Sequence, residues 1–96
     1  MTNQISNLNF SVGPEATTSA HDDGIVFLHT GKGRVFSSNK IGALIWRGLE
    51  QRRSVEGIIE EISGEFEIAG TTARVHTLNF LAALERQSLI QREVVS

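Results

Sequence analysis

The chain has 96 residues, 40% of them hydrophobic and 21% charged, with no cysteine, one proline and a formal net charge of -2. A chain this short buries little more than about 60% of its unfolded surface, which supports one core and one domain. The missing cysteines exclude disulfides, thiolate metal ligands and a Cys nucleophile, and the slight negative charge supplies no general attraction to nucleic acid or anionic lipid.

Residues 1–11 are polar and aperiodic, so they are expected to be a flexible segment ahead of a domain over 12–90, with 91–96 as a flexible tail. No apolar run approaches the ~20 residues of a membrane span, and no basic stretch followed by an apolar one opens the chain. The sequence therefore reads as cytoplasmic. Glu15 to Ala20, rich in Thr and Ser, is the first expected strand, and His21-Asp22-Asp23-Gly24 is a turn by composition. Ile25-Val26-Phe27-Leu28 is a short apolar run rich in β-branched and aromatic residues, which predicts a strand covered on at least one face. Thr30-Gly31-Lys32-Gly33 reverses the chain, and Arg34 to Ser37 returns as the second arm of a hairpin. The result is a small three-stranded antiparallel sheet with an edge.

Asn39 is placed to cap a helix, and Ile41, Leu44, Ile45 and Leu49 share one of its faces, up to an end near Glu50. Ser54 caps a second helix whose apolar stripe is Val55, Ile58, Ile59, Ile62 and Phe66, ending near Glu67. Gly70 interrupts the pattern, Thr71 or Thr72 restarts it, and a third helix is expected from about Ala73 to Gln87. This helix has two apolar stripes. At about 100° per residue, Ala73, Thr77, Phe80, Leu81 and Leu84 make a core stripe, while Val75, Leu78 and Ala82 lie more than a quarter-turn away. Leu89-Ile90 is expected to fold back over the core. The fold class is α+β and winged-helix-like, a small sheet followed by three helices.

Few residues point to chemistry. Thr30-Gly31-Lys32-Gly33 lacks the longer glycine span and the Lys-Ser/Thr ending of a phosphate loop, and a strand follows it instead of a helix. His21, Asp22, Asp23 and His29 could approach one another at the hairpin base, yet their spacing imposes no closed ligand set. His76 reads as a solvent-edge residue and Glu60-Glu61 as a solvated helix face. There is no Ser/His/Asp arrangement, and no carboxylate pair in a plausible cleft. No catalytic residue, metal or cofactor is expected. Ile45 and Trp46 read as core on ordinary burial preferences.

Binding has a physical basis in the strand Arg34, Val35, Phe36, Ser37 and Ser38. An edge strand's unpaired N–H and C=O groups invite another strand, and small proteins normally guard such an edge with charge or proline. Arg34 is the only guard here. The second helical stripe, Val75, Leu78 and Ala82, is expected to form the facing wall, with Arg74 or Arg86 at the rim to meet an acidic residue.

The hairpin at Gly33, Phe36 on the next strand, the series Asn39, Gly42, Ile45 and Trp46, the helix start Ser54-Val55-x-x-Ile58 and the ending Phe80-Leu81-x-x-Leu84-x-x-x-x-Leu89 together resemble the PqqD-like family of small peptide-binding proteins. The resemblance spans roughly Val12 to Ile90. Ser38 and Ser88 stand where that family usually has Leu and Gly. The resemblance implies a non-catalytic recognition domain that captures the leader of a ribosomally made precursor peptide as an added strand and presents it to a separate modifying enzyme, often a radical-SAM protein. A homodimer stays open. The alternative reading is a winged-helix DNA-binding regulator using Arg74, His76, Asn79 and Arg86, opposed by the acidic balance and by Glu85 on the same helix. A structural subunit of an enzyme complex would use the same surfaces.

Overall fold

A computed structural model of the chain describes residues 9–93. The elements in order are β1 (Asn9–Val12), β2 (Ala16–His21), β3 (Gly24–His29), β4 (Arg34–Ser38), α1 (Lys40–Glu50), α2 (Val55–Phe66), α3 (Gly70–Arg86) and β5 (Ile90–Glu93). The expected three-stranded sheet and three helices are present, the sheet running β2-β3-β4 with both pairings antiparallel.

β3 explains how the sheet meets the helices. Ile25, Phe27 and His29 are buried on one side, whereas Val26 is half-buried and Leu28 exposed on the other. The apolar run is thus covered on one face. The Phe27 ring meets Trp46 of α1 edge-to-face, with centroids 4.9 Å apart and planes at 76°. Trp46, Phe27, Ile45, Ile58, Ile62 and Leu89 are fully buried in one continuous core.

Both predicted caps are made. Asn39 Oδ1 accepts from the Gly42 N–H at 3.1 Å and Ser54 Oγ from the Gly57 N–H at 3.0 Å. Gly33 turns the β3–β4 hairpin with φ 63°, a conformation that suits glycine. α3 begins at Gly70, earlier than the expected Ala73, and Ala69 at its cap makes no side-chain bond. Gly70, Thr71 and Thr72 are exposed. Water can therefore satisfy the first-turn N–H groups, and no Thr cap is needed.

A second sheet was not foreseen. β1 pairs antiparallel with β5, Phe10 opposite Arg92 and Val12 opposite Ile90. The sequence places the folded chain between Val12 and Ile90, and this pair extends the strands to Asn9 and Glu93. One side chain explains the start: Phe10 is buried in the core, with the Arg92 guanidinium 5.7 Å from its ring centroid. Of the segments expected to be flexible, residues 1–8 and 94–96 lie outside the described residues.

Candidate functional site

In the three-stranded sheet the order leaves β2 and β4 as edges, and of these two, among the described residues, β4 runs beside clefts lined by α3. Along β4, Phe36 sits opposite Phe27 and Ser38 opposite Ile25, so their side chains turn to the helix side and are half-buried. Arg34, opposite His29, shares that parity. Val35 and Leu28 form a cross-strand pair on the outer face, 66% and 38% exposed. Val35 therefore turns its side chain to the far side of the sheet.

Two small cavities follow this edge. One, of about 170 Å³, is lined by Phe36 and Ser37 of β4, by Phe80 and Ala83 of α3 and by Gln87 at the helix's C-terminal cap. The other, of about 180 Å³, is lined by Ser38, Asn39, Ile41, Gly42, His76 and Phe80. Phe80 belongs to both and divides them. Each falls below the 300–1,000 Å³ typical of small-molecule sites, so each suits a single inserted side chain. Gly42 keeps the second one open: a Cβ there would run into Ser38 Oγ and stand 3.0 Å from Phe80 Cζ.

The charged residues lining this groove differ from those of the larger cleft beside α1 and α2. Neither cavity is lined by a carboxylate. At the hairpin end, Arg34 Nη1 donates to Gln87 Oε1 at 3.4 Å and Lys32 Nζ donates to Ser88 Oγ at 3.4 Å. A larger cleft of about 470 Å³ lies between α1, α2 and the β2–β3 turn, where Lys40 and Arg47 share the walls with Asp22, Glu61 and Glu65. Charges of both signs offset one another there. Among the described residues, no group of three or more His, Cys, Asp or Glu could hold a metal ion, and no helix is long and apolar enough to cross a membrane.

The predicted surface is only partly brought together. Arg34, Phe36, Ser37 and Ser38 border the groove, but Val75, Leu78 and Ala82 do not line it. They lie roughly 140–160° around α3 from Phe80 at about 100° per residue. Val75 and Ala82 are exposed there and Leu78 is half-buried against the core. Arg74 is not a groove rim residue either. Its guanidinium makes two bonds to the Glu56 carboxylate of α2, at 2.7 and 2.8 Å. Those bonds hold the Glu56 carboxyl below the usual carboxylate range, opposed in part by desolvation, and raise Arg74. The groove-lining residues that the sequence reading did not assign to the binding surface are His76 and Ala83, which share one face of α3 with Phe80, and Gln87 at the helix's C-terminal cap. The available signal was the border of the core stripe, because a half-buried Phe80 marks where core gives way to groove.

The family model described as Coenzyme PQQ synthesis protein D (PqqD) matches residues 24–90. Among solved structures, TbiB1 in complex with the TbiA(beta) leader peptide is similar, with a TM-score of 0.80 and 26% identity over 88% of this chain and 99% of that one. Lasso peptide synthetase B1 complexed with the leader peptide has the same fold, with a TM-score of 0.78 and 23% identity over 85% of this chain and 96% of that one. Comparison with curated proteins gives no match.

Proposed function

The chain belongs to the PqqD family, and from that membership and the groove beside β4 we propose that it is a non-catalytic adaptor for a ribosomally made precursor peptide. It binds the leader segment by strand addition and presents the remainder to a separate modifying enzyme. The observation that carries the reading is an unpaired strand edge lying directly beside two side-chain-sized cavities. An added strand satisfies the free N–H and C=O groups of β4, which supplies affinity independent of sequence. Its side chains on one face recur every two residues, about 6.6–6.8 Å apart. Two of them would enter the cavities on either side of Phe80 and supply the selectivity.

This reading places the peptide on Arg34, Phe36, Ser37 and Ser38, on the backbone of Val35, and on His76, Phe80, Ala83 and Gln87. Support comes from the similar TbiB1 structure, itself a complex with a leader peptide. The modifying enzyme acts in the same cytoplasmic compartment, and a radical-SAM protein is the first partner to test. The direct experiment is a chemical-shift titration of labelled protein with leader peptides encoded beside this reading frame. The largest shifts are expected along β4 and at Phe80, Ala83 and Gln87. Shifts concentrated on α2 or on the turn from His21 to Gly24 would remove the groove as the site.

A further inference from the structure

We infer that the hairpin end of the groove selects a peptide with a carboxylate side chain, held by Arg34 and Lys32, an inference that rests on the leader-binding reading above. The pairing habits of the chain carry it. Arg52, Arg53, Arg74 and Arg92 each reach a glutamate, at 3.1, 2.6, 2.7 and 3.3 Å respectively. The other five cations have no carboxylate partner among the described residues: Lys40 and Arg47 stand in the mixed-charge cleft beside α1, Arg86 is in the last turn of α3, and Arg34 and Lys32 are at the hairpin end of the groove. Arg34 and Lys32 each instead make one long bond, at 3.4 Å, to a neutral oxygen on the residues just after or at the end of α3. Such bonds are weak, and a carboxylate forms bonds roughly twice as strong with the same donors. The end of α3 itself carries about half a negative charge, but two full cations, with Arg86 also in the last turn, outweigh it.

Most acids of this net-negative chain lie elsewhere: Glu56, Glu60, Glu61 and Glu65 are on α2, and Asp22 and Asp23 are in the β2–β3 turn. The carboxylate nearest the hairpin turn is Glu15, which lies against Gly31 and 3.8 Å from His29 Nδ1 and forms no ion pair with Lys32 or Arg34. The groove is therefore the place where an acidic peptide meets a matching potential. Register sharpens the specification. Arg34, Phe36 and Ser38 have the same parity on β4. A residue opposite Arg34 in the added strand is thus two positions from the one opposite Phe36, on the same face. The ligand is an extended segment with Asp or Glu two residues from an apolar side chain. The acid lies on the C-terminal side of that apolar residue if the strand adds antiparallel to β4, and on the N-terminal side if parallel.

The test is a display library of random 12-residue peptides sorted against the wild-type protein, followed by fluorescence anisotropy of the selected peptides. Selected sequences should be enriched in Asp or Glu at the stated spacing. Arg34→Glu should weaken them about tenfold, Lys32→Glu by less, and replacing the peptide's acid with Lys should restore affinity for Arg34→Glu. Both residues are exposed, so both variants should fold. Peptides that lose binding on Ala83→Glu but are indifferent to Arg34→Glu and Lys32→Glu would sink this inference while leaving the groove intact. A library yielding no peptide sensitive to Ala83→Glu would overturn the leader-binding reading and this inference with it.

Discussion

The two flanks of α3 differ in what closes them. Toward α2, Arg74 is strapped to Glu56 by two short bonds and Leu78 packs against the core. Toward β4, the helix touches the strand's end through a single long bond from Arg34 to Gln87, and between them lie the two cavities divided by Phe80. The large exposed apolar residue of α3 is on the closed flank, since Val75 is 57% exposed yet faces no strand edge. Apolar exposure alone does not mark a binding face. On the proposed reading, what marks it is unpaired backbone beside a concavity.

The strongest test of that contrast pairs one substitution on each flank. Ala83→Glu puts an unpaired charge into the cavity beside β4, so peptide affinity should fall about 100-fold, roughly 2.7 kcal/mol, with little change in the melting temperature. Leu78→Glu should do the reverse. It should lower stability by roughly 1–3 kcal/mol, because a half-buried side chain against the core acquires a charge, while binding stays within about twofold. Anisotropy and thermal melts on the two variants read both quantities. Should Leu78→Glu abolish binding without moving the melt, the assignment of flanks would be inverted.

Local chemistry explains what was legible in the sequence. The caps at Asn39 and Ser54 and the alternation of Ile25 and Phe27 depend on near neighbours, so they are readable from spacing alone. The β1–β5 pair joins distant parts of the chain and rests on Phe10; Leu8, Phe10 and Val12 alternate with polar residues, but so short a run names no partner strand. For α3, the spacing gives the angle between two stripes but not which neighbour each one faces. Hence Arg34, Phe36, Ser37 and Ser38 border the groove, as the strand pattern suggests, while Val75, Leu78 and Ala82 lie on the other side of α3. Arg74 looked like a free rim cation because its partner Glu56 lies on another helix. Ser88 is instructive in another way. It adopts φ 62°, in the left-handed region that favours the glycine its family usually carries there, so the turn before β5 keeps its shape with a less suited residue.

The third face of α3, toward the core, permits a smaller and opposite effect. Thr77 is fully buried and its Oγ1 has no hydrogen-bond partner among the described residues. Replacing the hydroxyl with a methyl group of similar size removes the cost of an unsatisfied polar atom. Thr77→Val should therefore raise stability by about 1 kcal/mol and leave peptide binding unchanged. A drop in the denaturation midpoint would mean that the hydroxyl makes a bond in solution, to an internal water or to the preceding helical turn.

The smallest effect comes from the strap on the closed flank. Because Arg74 lowers the Glu56 pKa from its ordinary 4.5, the pair contributes its full stability above that unfolded value and loses it as the pH falls through the lower folded value. The side chains are 40% and 32% exposed, so solvent and salt screen the interaction and the loss should be slight. Other carboxylates titrate over the same range, and the informative quantity is the difference between wild type and Arg74→Gln in melts taken from pH 6 down to pH 3, a range that brackets the ordinary carboxylate value. Wild type should be the more stable protein at pH 6, with the gap closing toward pH 3 and narrowing at every pH in high salt. Peptide affinity at neutral pH should be the same for both, since Arg74 is turned to α2. If Arg74→Gln instead weakened peptide binding while the two melts coincided at every pH, Arg74 would belong to the open flank, and the contrast between the two sides of α3 would fail.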